Sequence, residues 1–264
     1  MTIMRALSRS LAVALIMAVA TTAADDWPRF RGPNGSGTSS EKDLPAEWSA
    51  DKNIVWKTTL PGHGASSPIV VGDRIFLTCF SGYGIDADKP GKEDDLVRHL
   101  LCLKRSDGSL IWKRDVAAVL PEAGFEEFLR VHGYASSTPT SDGRAVYVVF
   151  GKSGVLAFDL EGKGLWRADV GRGFSSWGSA ASPVLYENLL IVNASLERRS
   201  LTALDRSTGK EVWRVKNVNS SWCTPVIATT DDGKPELVLY QHRKIAGFNP
   251  STGEELWHCE TDLN

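Results

Sequence analysis

Few cysteines, little net charge and almost no helical periodicity mark this chain, and each shortage closes a class of function. Four cysteines occur in 264 residues. None falls in a Cys-x-x-Cys or Cys-x-x-Cys-His arrangement, which removes thioredoxin-like redox chemistry, covalent haem attachment and the usual zinc sites. The 30 basic and 32 acidic residues leave a net charge of −2, so the surface lacks the positive footprint that nucleic acid or acidic lipid needs. No nucleic-acid partner is expected. The five histidines, at 63, 99, 132, 242 and 258, show no His-Glu-x-x-His spacing, and neither a Gly-x-Ser-x-Gly elbow nor a phosphate-binding loop is present. The acidic stretch from Asp86 to Asp95 begins like a calcium loop, but Pro90 falls at the third ligand position and Val97 where the bidentate Glu belongs. It reads as a solvated insertion. No catalytic, cofactor-binding or metal-ligating residue is nominated. Helical patterning is confined to PEAGFEEFLRVHG, Pro121 to Gly133.

Long apolar runs are also missing. The stretch Leu11 to Ala20 is too short to cross a bilayer. Arg5 and Arg9 precede it and TTAADDW follows with small residues for cleavage near Ala23 or Ala24, which is the layout of a secretory signal. Residues 1–24 are expected to be a cleaved signal peptide and 25–52 an N-terminal extension, putting the mature chain in the periplasm or outside the cell with no transmembrane segment. Export permits disulfides. Cys79 in RIFLTC and Cys102 in HLLCLK fall in neighbouring predicted strands, where they either bridge or stay as two buried thiols.

What the chain does have is a repeat. A Gly stands four residues before a Trp at Gly108/Trp112, Gly162/Trp166, Gly209/Trp213 and Gly253/Trp257, and Trp56 occupies a similar strand without the turn. An Asp or Asn such as Asp205 can hydrogen-bond the backbone just beyond it, and the Gly can take a positive φ, so the chain reverses there. The Trp then offers a large flat surface for the space between neighbouring sheets. Between the Trp positions, Pro68, Pro139, Pro183 and Pro225 each follow small or polar residues and precede two β-rich runs split by a polar turn. Each unit reads as four strands, and Trp spacings of 56, 54, 47 and 44 residues match the period of a β-propeller blade.

The pattern Ala-x-Asp-x-x-Thr-Gly-x-x-x-Trp resembles the pyrroloquinoline-quinone (PQQ) repeat. Ala203, Asp205, Thr208, Gly209 and Trp213 match every fixed position; the fourth copy substitutes Gly247 and Asn249, the second is one residue shorter, and the first has Cys102 and Lys104 where Ala and Asp belong. The opening DWPRFRGPNGSG and the phrase HGYASSTP are similar to exported PQQ-like propellers of planctomycete-type bacteria. The resemblance implies an all-β propeller of four-stranded blades over residues 53–264. The blades span about 65–115, 135–169, 179–216 and 222–260, and Asn53 to Leu60 form a closing strand. Family members commonly have seven or eight blades, and five Trp strands meet only four Pro-led inner strands. The expectation is therefore about four blades in a ring incomplete at the C-terminus.

Quinoprotein dehydrogenases resemble the chain in their blades, but hold their quinone with calcium and an Asp base and commonly stack it on adjacent cysteines. No adjacent cysteines occur here, and the repeat is a folding signature. The leading expectation is a non-catalytic exported scaffold with no cofactor. It would bind a protein, a small molecule or a sugar on its rim. The alternative is a PQQ-dependent oxidoreductase using PQQ and calcium. Scaffolding propellers of the outer-membrane assembly machinery also look similar, although they are lipoproteins and no lipid-attachment Cys is found here. In a propeller the segments before the inner strands converge near the channel. Here they are PGHGASSP, RVHGYASSTP, FSSWGSAASP and VNSSWCTP. They nominate His63, His132, Tyr134, Trp177 and Trp222 as a binding rim, against the reading in which these aromatics plug the channel mouth.

Overall fold

The computed structural model describes residues 26–262, and the expected signal peptide lies outside them. Sixteen strands form four antiparallel sheets, each in simple meander order. Blade 1 holds β1 (Ile69–Val71), β2 (Arg74–Ser81), β3 (Val97–Lys104) and β4 (Leu110–Ala117). Blade 2 holds β5 (Thr140–Ser141), β6 (Ala145–Val149), β7 (Val155–Asp159) and β8 (Gly164–Ala168). Blade 3 holds β9 (Val184–Tyr186), β10 (Leu189–Ala194), β11 (Ser200–Asp205) and β12 (Glu211–Lys216). Blade 4 holds β13 (Val226–Thr229), β14 (Pro235–Gln241), β15 (Lys244–Phe248) and β16 (Glu255–Glu260). The architecture is the all-β propeller expected, with about four blades. Its core lies between the blades, in one apolar cluster shared by blades 1 and 2, one by 2 and 3, and one by 3 and 4.

The repeat motif accounts for the outer half of every blade. In blade 3 the Asp205 carboxylate accepts from the Ser207 and Thr208 amides and the Thr208 hydroxyl, and Gly209 reverses the chain at φ +70°. Across the next strand pair, Trp213 faces Ala203, and the ladder shifts register immediately afterwards. The same bulge follows Cys102/Trp112, Ala157/Trp166 and Gly247/Trp257. A small residue opposite each Trp leaves room for the indole to lie along its own sheet. The bulge turns the preceding Ile111, Leu165, Val212 and Leu256 out to solvent.

Two local expectations change and one open alternative is decided. The helical stretch shrinks to one turn, α1 (Leu129–His132), because the segment is pinned by tertiary bonds instead of by an amphipathic face. Cys79 and Cys102 are free buried thiols: Cys102 pairs with Phe76, three residues from Cys79 on β2, and an odd separation puts the two side chains on opposite faces of the sheet. Residues 53–60 join no strand pairing. They lie against blade 1 instead, where the Trp56 indole N–H donates to the Arg105 carbonyl at 2.9 Å and the Thr58 hydroxyl to the Gly108 carbonyl at 2.6 Å. The N-terminal extension clasps the inner strands: Trp27 exchanges two backbone bonds with Val70, and the Pro28 carbonyl accepts from Ser141.

Candidate functional site

The Pro-led segments meet around a funnel of about 560 Å³, lined by Ala65, Thr138, Ser182, Trp222, Thr224 and others. The residue before Pro68, Pro139 and Pro183 ties its blade to the next. Ser67 N–H donates to the Thr138 hydroxyl at 3.0 Å, Thr138 N–H to Ser182 at 3.0 Å, and Ser182 N–H to Thr224 at 2.9 Å. The small and polar composition seen before each Pro is thus explained, since these hydroxyls satisfy amides that no strand pairing reaches. Phe30 and Arg31 of the N-terminal extension also line the funnel, and sequence reasoning did not nominate them. Their signal was the positive-φ run of glycines at 32, 35 and 37, which folds the extension back on itself.

Three of the five nominated rim residues come together. His132 places Nδ1 2.6 Å from the Ser136 hydroxyl and Nε2 2.8 Å from the Trp177 carbonyl, so the ring ties α1 to the next blade's entrance. Trp177 lies 5.1 Å from Trp222 between ring centroids, and Phe128 adds a third ring 4.4 Å from Trp177. Trp222 anchors the cluster by donating its indole N–H to the Gly178 carbonyl at 2.9 Å. The other two nominated residues lie elsewhere. Tyr134 is buried; its hydroxyl donates to the Ala123 carbonyl at 2.7 Å, and its ring packs on Phe80, Tyr83 and Phe125. That environment raises its pKa by burial first, with the nearby Tyr83 adding to the shift. His63 is exposed beside Phe80, where it lines a smaller cavity together with His132.

A buried ion pair holds the rim's supporting loop. The Arg98 guanidinium bonds Glu122 at 2.7 Å, the Tyr134 carbonyl at 2.9 Å and the Ser153 hydroxyl at 3.2 Å, fastening residues on either side of α1 to blades 1 and 2. Nearby, burial raises the pKa of Glu197, whose carboxylate accepts from Ser179, and lowers that of Lys152, whose ammonium sits 4.2 Å from the Phe174 ring centroid. On blade 1, Ser81, His99 and Asp115 form a row, with Oγ to Nε2 and Nδ1 to Oδ1 distances both 2.7 Å. The order is that of a nucleophile, a base and a carboxylate, but none of the three lines the funnel. Asp115 is half exposed and shared with Lys113, and the row braces three adjacent strands.

A family model described as outer membrane protein assembly factor BamB matches residues 98–263, more than half of the chain. The chain belongs to this family of PQQ-repeat propellers. BamB from Moraxella catarrhalis superposes with a TM-score of 0.55 at 18% identity, over 81% of this chain and 56% of that one. Quinohemoprotein alcohol dehydrogenase from Comamonas testosteroni superposes with a TM-score of 0.57 at 15% identity, over 89% and 41%. Identities this low establish shared blades only. The chain spans little more than half of the BamB structure and about two fifths of the dehydrogenase. No curated protein sequence matches it.

The dehydrogenase likeness raises the question whether PQQ and calcium fit. Calcium takes six to eight oxygen ligands, usually with carboxylates among them. The funnel offers hydroxyls, the His132 imidazole, the Cys223 thiol and the Arg31 guanidinium, with no carboxylate. Among the described residues no group of three or more His, Cys, Asp or Glu converges on a metal-sized site. The donor set does not fit that pair.

Proposed function

We propose that this BamB-family propeller is an exported, non-catalytic scaffold that binds a protein partner through the aromatic rim at the funnel mouth. One observation carries the reading: Trp177 and Phe128 pack on each other yet stay 43% and 48% exposed. Rings that only plugged the channel would be covered, whereas exposed aromatics beside an anchored Trp222 have the composition of interface hot spots. The ion pair of Arg98 with Glu122 and the His132 bridge hold this surface in place before any partner arrives, which lowers the ordering cost of binding. A photo-crosslinking amino acid at position 177, expressed in the native envelope, tests the reading. A discrete protein adduct that is lost in a Phe128→Ala background supports it, and the absence of any adduct overturns it. The quinoprotein reading rests on common blade architecture alone. Dye reduction by an alcohol after loading with PQQ and calcium would replace the scaffold with an enzyme.

A further inference from the structure

A small closed cavity lies under the aromatic rim, apart from the funnel. Its volume is about 20 Å³, enough for one occupant a little larger than water. One wall is α1 with Gly133, another is the loop from Gly173 to Ser179 that carries Trp177, and a third is the turn Gly151–Ser153 of blade 2. That turn is tight because Gly151 and Gly154 both take a positive φ, +53° and +95°. The Ser153 hydroxyl pins it further by accepting from Arg98 at 3.2 Å and from the Val119 amide at 3.0 Å. Lys152, in the middle of the turn, is held inward and is only 5% exposed.

Two polar side chains on the cavity wall lack a hydrogen-bond partner among the described residues. Arg98 is committed to Glu122, the Tyr134 carbonyl and Ser153. Ser136 bonds His132, Ser175 accepts from the Trp177 amide, Ser179 donates to Glu197, and the Tyr134 hydroxyl donates to the Ala123 carbonyl. What remains is the Ser137 hydroxyl, itself 5% exposed, and the Lys152 ammonium, which meets only the Phe174 ring. A ring face attracts a cation but does not accept the three hydrogen bonds an ammonium can donate.

The wall also carries a surplus of positive charge. It holds two cations, Arg98 and Lys152, and one carboxylate, Glu122, which is paired with Arg98. Beyond the wall, Glu93 and Arg172 act on Lys152 with opposite signs, and Glu197 stands behind Ser179. A buried cation without a counter-charge is costly. The surplus charge therefore favours a negative occupant over water.

We propose that this cavity is a binding site for one small monovalent anion of halide size, held by the Lys152 ammonium and the Ser137 hydroxyl. Because α1 and the loop bearing Trp177 share its wall, the anion ties those two segments together from beneath. The site is independent of any partner at the rim.

The test is thermal melting of the full chain near neutral pH, with chloride replacing gluconate at constant ionic strength. Gluconate is too large for the cavity. The wild-type Tm is expected to rise with chloride concentration, as for a ligand that binds only the folded state. Lys152→Met keeps the length of the side chain and removes its charge, so its Tm should not respond. Ser137→Ala should keep the response but raise the half-effect concentration about fivefold, the worth of one hydrogen bond. Chlorine-35 line broadening by the wild-type protein, lost in K152M, reads the same site directly. If K152M loses its fold by circular dichroism, Lys152→Gln takes its place beside Ser137→Ala. A wild-type Tm indifferent to chloride, a chloride response that survives in the folded Lys152 variant, or line broadening unchanged by both substitutions each overturns the proposal.

Discussion

Trp166 rests on the Gly209 turn so closely that a Cβ added to the glycine would come within 2.5 Å of the indole. The turn belongs to blade 3 and the indole to blade 2, so one residue type serves both the reversal of its own chain and the seating of its neighbour. Gly209→Ala should therefore be hit twice, by a left-handed φ costing about 1 kcal/mol and by overpacking costing about 1–3 kcal/mol. Gly143 has φ +82° with nothing within 4 Å, so Gly143→Ala should lose only the first part. Urea denaturation of both variants measures the difference. Equal losses would show that the seat is not tight.

Rim and anchor separate by mutation. Trp177→Ala should cost less than about 1 kcal/mol of stability, because nearly half of the residue is exposed, while it weakens partner binding. Trp222→Ala should cost roughly 3 kcal/mol, losing both its packing and its bond to Gly178. Paired melting and crosslinking experiments check this. Large destabilisation by Trp177→Ala with undiminished crosslinking from position 128 would remove the rim as the site.

Thiol reactivity reports the blade faces. Burial pushes Cys79 up to about 11 and Cys102 up to about 12, while Cys223 and Cys259 are exposed. Iodoacetamide at pH 8 should label Cys223 and Cys259 in the native protein and all four cysteines in denaturant, since the thiolate is the reactive form. Peptide mass mapping gives the result. Native labelling of Cys79 or Cys102 at the rate of Cys223 would contradict the packing of blade 1.

Glu197 sets a pH dependence of unusual sign. Its carboxyl is buried and its pKa raised, mainly by desolvation, so the folded state holds a proton that the unfolded chain releases above about pH 4.3. As pH rises from there through the folded-state pKa, this group subtracts from stability. Glu197→Gln should therefore match the wild type near pH 4 and exceed it at pH 7–8, as read from melting temperature across that range. A wild type that gains on the variant with rising pH would reverse the assignment.

The repeat was legible because its physics is local. A side-chain oxygen at Asp205 or Asn249 and a positive φ at the following Gly need only their own turn, and the Trp after them announces a sheet face. That was enough to give the propeller, its four-stranded blades and the reversal points. The rim was partly legible: the pre-proline segments do converge, because every blade repeats the same path from channel to edge. Which aromatic faces water was not legible. Tyr134 and Trp177 sit in equivalent entrances, and only the insertion around Ala123 and Phe125, pinned by Arg98, buries one and leaves the other open. Likewise Cys79 and Cys102 fall in strands that the sequence marks as neighbours, and only strand register put them on opposite faces. Turn chemistry is written within a few residues of sequence, whereas exposure depends on what a distant segment covers, and the tertiary structure alone decided that.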